Sequence, residues 1–173
     1  ERNWKLALEA HERVVKLSDP GDPRAAADHR FGWGIRYEMA SAQLEEGRAK
    51  EAIGGLRRIL KDNPQFIPAH VKLGQALLRQ GQEPEALQVW FEGFEATGSS
   101  IFLSGLEEHH LQREQPFAAI EALTRCISRT SKDTLPRFYL GKLYFRLEML
   151  DDAFAVLEPL TGRATYAPTL HYL

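Results

Sequence analysis

One four-residue run is the only cluster of side chains in this sequence with metal-ligand chemistry. Glu107-Glu108-His109-His110 places two carboxylates beside two imidazoles, and both groups are metal ligands. Adjacent residues on a helix point about 100° apart, so the two histidines do not converge on one ion as an i, i+4 pair would. His110 also falls at a position that Leu77 and Tyr144 occupy in related segments, which favours a packing role for it.

A metal-dependent enzyme is the catalytic alternative that this run leaves open. It requires Glu107, Glu108, His109 and neighbouring side chains to assemble a site, and stoichiometric zinc in the purified protein would establish it. No serine–histidine–acid or paired-carboxylate pattern stands out elsewhere, although distant segments can assemble one. We therefore predict that the chain is not an enzyme and that it carries no cofactor.

Two further patterns are interpreted as structural. Cys126 lies in line with Ala119 and Leu123 on one helix face, so we expect a buried, reduced thiol and not a nucleophile. A single cysteine also excludes an internal disulfide and a cysteine zinc cluster. Gly32-Trp33-Gly34 and Gly54-Gly55 lack the spacing of phosphate-binding loops, and close helix packing explains the second pair.

Composition narrows the class of partner. The 173 residues include 22 basic and 24 acidic side chains, and the formal net charge of −2 excludes the broad basic surface of a non-specific nucleic-acid-binding protein. Apolar residues make up 43% of the chain and charged residues 27%, the balance of an ordinary soluble globular protein. No run approaches the ~20 apolar residues that cross a bilayer. We predict a cytoplasmic protein without nucleic-acid partners or direct membrane contact.

The ends of the chain indicate that it is part of a longer protein. It begins without methionine, and residues 1–17 alternate charged and apolar side chains instead of forming a signal peptide. It stops at His171-Tyr172-Leu173, inside a segment that is typical of the start of a helix.

The elements that must position these residues are helices arranged in pairs. Over Ala69–Phe94, apolar residues recur with helical spacing and are interrupted once, at Gln80-Gly81-Gln82. This pattern predicts two helices joined by a short glycine turn, with Pro84 in the first turn of the second helix. The same pattern recurs upstream around Gly47 and downstream around Gly141.

A small residue on the second helix of each pair indicates the period. Ala52, Ala86, Ala119 and Ala153 follow one another at intervals of 34, 33 and 34 residues. Such alanines are expected where two helices approach closely, because a larger side chain would push them apart. Gly74 and Gly141, on two of the first helices, lie two periods apart and fit the same register.

The repeats form a single array over 1–173 with irregular ends. The second helix of a truncated repeat is predicted over 1–17, with Ala7 in the alanine position. An enlarged loop and a helix start are predicted over 18–31, and that helix begins near Ala25. Repeats follow over 32–65, 66–99, 100–132 and 133–165, and the start of a further helix over 166–173. Pro159 is expected to end or bend the last second helix.

Three of the units share the same residues at the same positions. They are Leu73-Gly74, Gly81, Ala86 and Trp90 in one unit, Leu140-Gly141, Tyr144 and Ala153 in another, and Met39-Ala40, Gly47, Ala52 and Pro64 in a third. These units resemble the tetratricopeptide repeat family, in which antiparallel helix pairs stack into a right-handed superhelix. The remaining unit is degenerate, since Glu107 and Glu114 replace glycines and His110 replaces tyrosine. The resemblance implies an all-α solenoid that binds proteins or peptides without specifying which.

The order of the segments suggests a narrower resemblance. Asn3-Trp4-Lys5-Leu6-Ala7 opens the first helix, a lengthened connection follows, and four units precede His171-Tyr172-Leu173. This order is similar to the lipopolysaccharide assembly protein B family of Gram-negative bacteria. The resemblance implies an N-terminal membrane anchor, a cytoplasmic repeat array and a C-terminal zinc module. It also implies a role in presenting the deacetylase of lipid A synthesis to a membrane-bound ATP-dependent protease.

Two hypotheses for function follow from these resemblances. The first is a non-catalytic adaptor that recruits a target protein to a membrane protease by binding it along a groove. The alternative is a structural module that self-associates through the apolar faces of its end helices, because repeat arrays normally require polar caps there.

The groove is predicted on the first helices, which line the concave wall in such an array. Residues four apart share a helix face. The predicted rows are Tyr37, Ser41 and Glu45; Val71, Gln75 and Arg79; Ser104, Glu108 and Gln112; and Phe138, Lys142 and Arg146. The alternative interpretation is that these are solvated helix faces without a partner.

The last of these rows is predicted to carry recognition. Phe138, Lys142 and Arg146 combine an aromatic anchor with cationic side chains, and binding hot spots are enriched in aromatic residues and arginine. Tyr139 and Tyr144 flank packing positions and are assigned to the core. The three contacts predict a preference for an acidic or apolar partner segment.

Overall fold

The chain folds into α-helices throughout the part that the structure describes. The computed structural model describes residues 3, 6–7, 9–10, 13, 23–130 and 134–160. Over 23–130 and 134–160 the elements are α1 (Pro23–Glu45), α2 (Ala49–Asp62), α3 (Ile67–Arg79), α4 (Glu83–Thr97), α5 (Ser100–Leu111), α6 (Pro116–Arg129), α7 (Leu135–Arg146), α8 (Leu150–Leu157) and a 3-10 turn (Glu158–Leu160). These ranges contain no strand. The predicted all-α class of paired helices is confirmed.

Proline marks where most of these helices begin. It occupies the first turn of α1, α3, α4, α6 and α7, as Pro23, Pro68, Pro84, Pro116 and Pro136. A proline at this position loses no intrahelical hydrogen bond, because the first N–H groups of a helix have no carbonyl partner, and its fixed φ suits the helix.

The turn inside each helix pair has the same backbone geometry four times. Gly47, Gly81, Glu114 and Glu148 have φ angles of 77°, 73°, 57° and 60°. The residue after each donates its N–H to the carbonyl five positions earlier: Arg48 to Gln43, Gln82 to Leu77, Gln115 to His110 and Met149 to Tyr144, at 2.8–3.0 Å. This bond and the left-handed residue form the Schellman motif, which ends the first helix and reverses the chain. Two of the four turns therefore place a glutamate where glycine is favoured.

The helices group into two compact units, Glu1–Val89 and Trp90–Leu173, with the boundary inside α4. In the first unit α1 packs on α2, α2 packs on α3, and α1 also contacts α3. Its core is formed by apolar side chains that include Ala40, Leu56, Ile59, Leu73, Leu77 and Ala86. His70 is buried among them, and its ring nitrogens lie 3.2 Å from the Val89 carbonyl oxygen and 2.8 Å from that of Pro64. The ring therefore links α3 to α4 and to the turn that precedes α3.

In the second unit α5 packs on α6, α6 on α7 and α7 on α8, and α5 also contacts α7. Its core includes Phe94, Phe102, Leu103, Leu106, Leu123 and Leu143. Helices α7 and α8 approach closely, since a Cβ atom at Gly141 would overlap the side chain of Leu157. The contact between α5 and α7 places the first helices of two successive pairs side by side.

The alanines that indicated the repeat period are at buried contacts. Ala52, Ala86, Ala119 and Ala153 are all buried, whereas Ala7 is exposed. Of the predicted helix over 1–17, the described residues Leu6, Ala7, Glu9, Ala10 and Arg13 are helical. Asn3 accepts the Leu6 N–H through its side-chain oxygen at 3.3 Å and the Ala7 N–H through its carbonyl at 3.1 Å.

The helix expected near Ala25 begins at Pro23 and continues through the predicted repeat boundary at residue 32 to Glu45. Pro159 has the predicted effect, since α8 ends at Leu157 and a 3-10 turn follows. The further helix predicted over 166–173 lies outside the described residues, and the division into repeats stays a prediction. No helix in the described ranges has both the length and the apolarity that a bilayer span requires.

The positive φ of Glu148 predicts that a glutamate-to-glycine substitution stabilises the protein there, whereas the same substitution within a helix destabilises it. Glu148→Gly should raise the free energy of unfolding by about 0.5–1 kcal/mol, because glycine adopts a positive φ without the steric conflict of a Cβ. Glu121→Gly, an exposed position within α6, should lower it by about 1 kcal/mol, because glycine is a poor helix former. Urea unfolding followed by circular dichroism measures both. A loss of stability from Glu148→Gly would show that its turn does not favour glycine.

The close approach of α7 and α8 generates a second prediction. Gly141→Ala should lower the free energy of unfolding by about 1–3 kcal/mol, because the new methyl group overlaps Leu157. Gly54→Ala is the matched control: a Cβ there meets no atom within 4 Å, so the close packing expected at this glycine from the sequence is not found, and the change should be neutral or stabilising. In Gly141→Ala combined with Leu157→Ala, the total loss should be smaller than the sum of the two single losses. Strict additivity would contradict the steric cause.

Candidate functional site

A cavity of about 550 Å³ lies in the second unit where α5 contacts α7. We call it the α5–α7 cavity. From the α5 side it is lined by Ser104, Glu107, Glu108, Leu111 and, just past the helix end, Gln112. From α7 it is lined by Tyr139, Lys142 and Arg146. The spacing on each wall follows helix geometry, since residues three, four, seven and eight apart share one face.

Two hydroxyl groups bridge the walls of the cavity. Ser104 Oγ and Tyr139 Oη lie 3.0 Å apart and share a hydrogen bond. One of the two hydroxyls donates to the other, so the acceptor retains its own proton for a ligand. The Tyr139 ring also lies beneath the ammonium group of Lys142, whose Nζ is 5.4 Å from the ring centroid. This cation–π contact orients the lysine on its own wall.

A partly buried ion pair forms the second bridge. Arg146 donates through Nη1 to Oε1 of Glu107 at 3.0 Å. The Glu107 side chain is only 10% exposed, while that of Arg146 is 59% exposed. A carboxylate this deeply buried requires a charge or hydrogen-bond partner, and Arg146 supplies it from the facing helix.

The position of Glu107 is occupied by a small residue in the other pairs. Ala40, Gly74 and Gly141 hold it on α1, α3 and α7, and all three are buried. In α5 the glutamate extends from this position to the cavity. The substitution that makes this unit degenerate in sequence therefore places a carboxylate in the cavity wall.

Two more charges line the cavity without pairing to each other. Glu108 is exposed and accepts a hydrogen bond from Nε2 of Gln112, one turn along, at 3.0 Å. Lys142 is half-buried, and no carboxylate of the described ranges lies within 4.0 Å of its ammonium group. The cavity thus presents one carboxylate on the α5 side and one ammonium group on the α7 side, next to the neutralised pair of Glu107 and Arg146.

The structure brings together part of the row that was predicted to carry recognition. Lys142 and Arg146 line the cavity with Ser104, Glu108 and Gln112. Phe138 is half-buried and does not line it, and its ring meets Tyr139 edge-on with centroids 6.3 Å apart. Tyr139, which the sequence pattern assigned to the core, lines the cavity instead. Its hydroxyl reaches Ser104 because α7 presents positions 139, 142 and 146 to α5.

Sequence reasoning missed Glu107, Leu111 and Tyr139 as members of this site. A signal for Glu107 was present, since a charged residue at a position reserved for small side chains requires a partner. Arg146 lies 39 residues further along the chain, one period and five residues, and so falls on the neighbouring first helix.

The predicted groove residues of the first unit have different surroundings. Tyr37 packs on the core, meets Phe66 edge-on at 5.8 Å, and lies beneath Lys72 Nζ at 5.6 Å. Ser41 is half-buried, and its Oγ is buried without a hydrogen-bond partner in the described ranges. Glu45, Gln75 and Arg79 are exposed, and Val71 is half-buried. The Tyr37 ring is therefore engaged in packing, and the Ser41 hydroxyl oxygen is not accessible to a ligand.

The four residues with metal-ligating chemistry have divided surroundings. Glu107 and Glu108 line the α5–α7 cavity. His109 packs its ring edge-on against Trp90, with centroids 6.2 Å apart, and His110 is buried. The packing role predicted for His110 agrees with its burial. That the chain is not an enzyme stays a prediction.

Cys126 is buried, with 1% of its surface exposed, as predicted. Burial raises the pKa of its thiol to about 12, and the nearby Glu95 carboxylate contributes to the increase. The thiolate is the reactive form of cysteine, so the folded protein holds this sulfur in an inert state.

The fold and the cavity together define a helical-repeat protein of the all-α class. Within this class, residues 36–91, about a third of the chain, match the family model of the tetratricopeptide repeat. The match includes α2 and α3, and it supports the predicted family over that segment. No curated protein matches the chain.

Three solved structures are similar to this chain. MamA 41-end from Desulfovibrio magneticus RS-1 is 20% identical, with 95% of this chain and 98% of that chain covered and a TM-score of 0.44. TTC0263, a thermophilic TPR protein of Thermus thermophilus, is 20% identical, with 98% and 87% covered and a TM-score of 0.43. YrrB, a TPR protein with an unusual peptide-binding site, is 17% identical, with 91% and 76% covered and a TM-score of 0.46.

The buried thiol generates a prediction on pH. The pKa of Cys126 is higher in the folded chain than in the unfolded one, so unfolding releases a proton above the ordinary thiol pKa of 9.0. The contribution of Cys126 to stability is therefore complete below about pH 9 and is lost as the pH rises towards about 12. Urea unfolding of the wild type and of Cys126→Ala across this range should show the wild type losing more stability. Parallel curves would contradict the raised pKa.

Proposed function

We propose that this chain is a non-catalytic scaffold that binds a segment of another protein in the α5–α7 cavity. The observation that carries the proposal is the cavity of about 550 Å³, whose walls belong to the first helices of two successive pairs. Concave sites of this size with a few convergent polar groups are typical of ligand binding. The bridges between Ser104 and Tyr139 and between Glu107 and Arg146 hold the two walls in place before a ligand arrives, which lowers the entropy lost on binding.

The cavity has the groups that a peptide requires. Lys142, the remaining N–H groups of Arg146 and one hydroxyl proton are donors, while Glu108 is an acceptor. Leu111 adds an apolar contact on the α5 wall. A peptide backbone and its polar side chains form hydrogen bonds of both kinds, so a protein segment satisfies this set better than a purely apolar ligand does.

Within this function, we propose the adaptor role that the order of the segments suggested. The bound segment would belong to an enzyme of lipid A synthesis, and a membrane protease would be the second partner. Its support is the resemblance to the lipopolysaccharide assembly protein B family. The sequence of the full-length gene tests it: an N-terminal apolar span of ~20 residues and two C-terminal CxxC pairs would support the role. A full-length chain that lacks both the apolar span and the CxxC pairs would rule out this adaptor role and leave the scaffold proposal intact.

Self-association is the second candidate, and one observation favours it. Leu150 and Phe154 on α8 are 60% and 67% exposed, and large exposed apolar side chains mark interaction surfaces. Sedimentation of the wild type and of Leu150→Ser with Phe154→Ser distinguishes the candidates. A dimer that the double substitution dissociates would establish self-association through α8, and a monomer at all concentrations would exclude it.

The scaffold proposal generates a prediction on peptide capture. Peptides selected from a displayed random library on the wild-type protein should bind Phe138→Ala with Lys142→Glu at least about tenfold more weakly, because a cation is reversed and the support of Tyr139 is removed. Helical content should remain unchanged, since neither residue is in the core. Fluorescence anisotropy with the labelled peptides measures the affinity.

Tyr37→Ala with Glu45→Ala is the matched control, since it changes one aromatic and one charged residue of the first unit. This variant should retain the affinity within about twofold, because neither residue lines the cavity. Equal loss from the control pair, and none from the pair on α7, would show that recognition lies on the first unit.

A further inference from the structure

The charges in the α5–α7 cavity are arranged so that two opposite charges remain for a ligand. Glu107 and Arg146 neutralise each other at 3.0 Å. Glu108 on α5 and Lys142 on α7 line the same cavity, but their charged atoms lie more than 4.0 Å apart and form no ion pair. The cavity is therefore close to neutral in total and is dipolar across its width.

Each of the two remaining charges is held on its own wall. Gln112 donates to the Glu108 carboxylate within α5, and the Tyr139 ring lies under the Lys142 ammonium group on α7. Tyr139 is in turn fixed by its hydrogen bond to Ser104. These contacts favour a gap between the two charges over a direct salt bridge, and a preorganised gap of this kind is where a complementary ligand binds with the smallest rearrangement.

A ligand of a single charge sign does not suit this arrangement. A purely acidic segment is attracted by Lys142 and repelled by Glu108, and a purely basic segment experiences the reverse. A segment that carries one acidic and one basic side chain close together satisfies both walls at once. Specificity of this kind arises from the repulsive contact as much as from the attractive one.

We propose that the α5–α7 cavity selects protein segments of mixed charge, with an acidic side chain bound at Lys142 and a basic side chain bound at Glu108. This inference rests on the proposed scaffold function and specifies the class of partner. It also replaces the preference for an acidic or apolar segment that the sequence suggested, since that preference took Lys142 and Arg146 into account without Glu107.

Three labelled peptides of one length and one neutral host sequence test the proposal. They differ only at two nearby positions, which are acidic and basic, both acidic, or both basic. The wild-type protein should bind the mixed peptide about two- to fivefold more tightly than either of the others, because one partly exposed ion pair contributes about that much to affinity. Anisotropy at low ionic strength measures the three affinities, and added salt should reduce the differences.

Charge reversals make the test specific to this cavity. Glu108→Lys should change the preference to the acidic peptide, and Lys142→Glu should change it to the basic peptide. The double variant with both reversals should restore the preference for the mixed peptide, which also shows that the variants remain folded. Glu121→Lys on α6 and Lys50→Glu on α2 are matched controls, because these exposed positions change the net charge equally and do not line the cavity.

The outcomes separate this inference from the scaffold proposal. Equal binding of the three peptides by the wild type, unchanged by the reversals, would overturn the selection of mixed charge and leave peptide binding intact. Absence of binding by all three would also overturn it, and the library-selected peptides then decide the scaffold proposal. A change of preference in the control variants that equals the change in the cavity variants would assign the effect to net charge and overturn the inference as well.

Discussion

Close packing between the two helices of a pair is the constraint on which the rest of this structure depends. Small residues make it possible: Ala52, Ala86, Ala119 and Ala153 are buried on the second helices, and a Cβ at Gly141 would overlap Leu157. A single helix of 12 to 14 residues, such as α2, α3, α5, α6 or α7, is too short to be stable alone, so it must pack against its partner and its neighbours. The tight turn then follows, because a left-handed residue reverses the chain within a few residues.

Glu107 is the exception that creates the site. It occupies a position that alanine or glycine holds on the other first helices, and there its carboxylate would be buried without a partner unless a facing residue supplied one. Arg146 does so from α7. The same ion pair that satisfies Glu107 also joins the two walls of the cavity, so stability and the geometry of the site depend on one interaction.

This coupling has a consequence for recognition. Arg146 is more than half exposed, yet its charge is largely compensated by the buried Glu107 carboxylate. An acidic ligand is therefore attracted to Arg146 less strongly than the predicted groove row of Phe138, Lys142 and Arg146 suggested. Lys142, half-buried and above an aromatic ring, retains its charge for binding. Glu108, exposed at the opposite wall, offers a charge of the other sign. Two of the four charges in the cavity therefore pair with each other within the protein, and the other two determine which ligand charges the site attracts.

The sequence by itself determined the local features of this protein. Pro84 indicated a helix start, and glycines and the repeat period indicated the turns. Rows of residues four apart identified Ser104, Glu108, Lys142 and Arg146, all of which line the cavity. These features depend on interactions between near neighbours in the chain, which spacing reveals. Spacing does not report how far each helix is rotated about its axis or which side chain of another helix faces it. Only the tertiary structure therefore decided that Tyr139 reaches the cavity while Tyr37 is covered by Phe66 and Lys72, and that Arg146 is paired with Glu107.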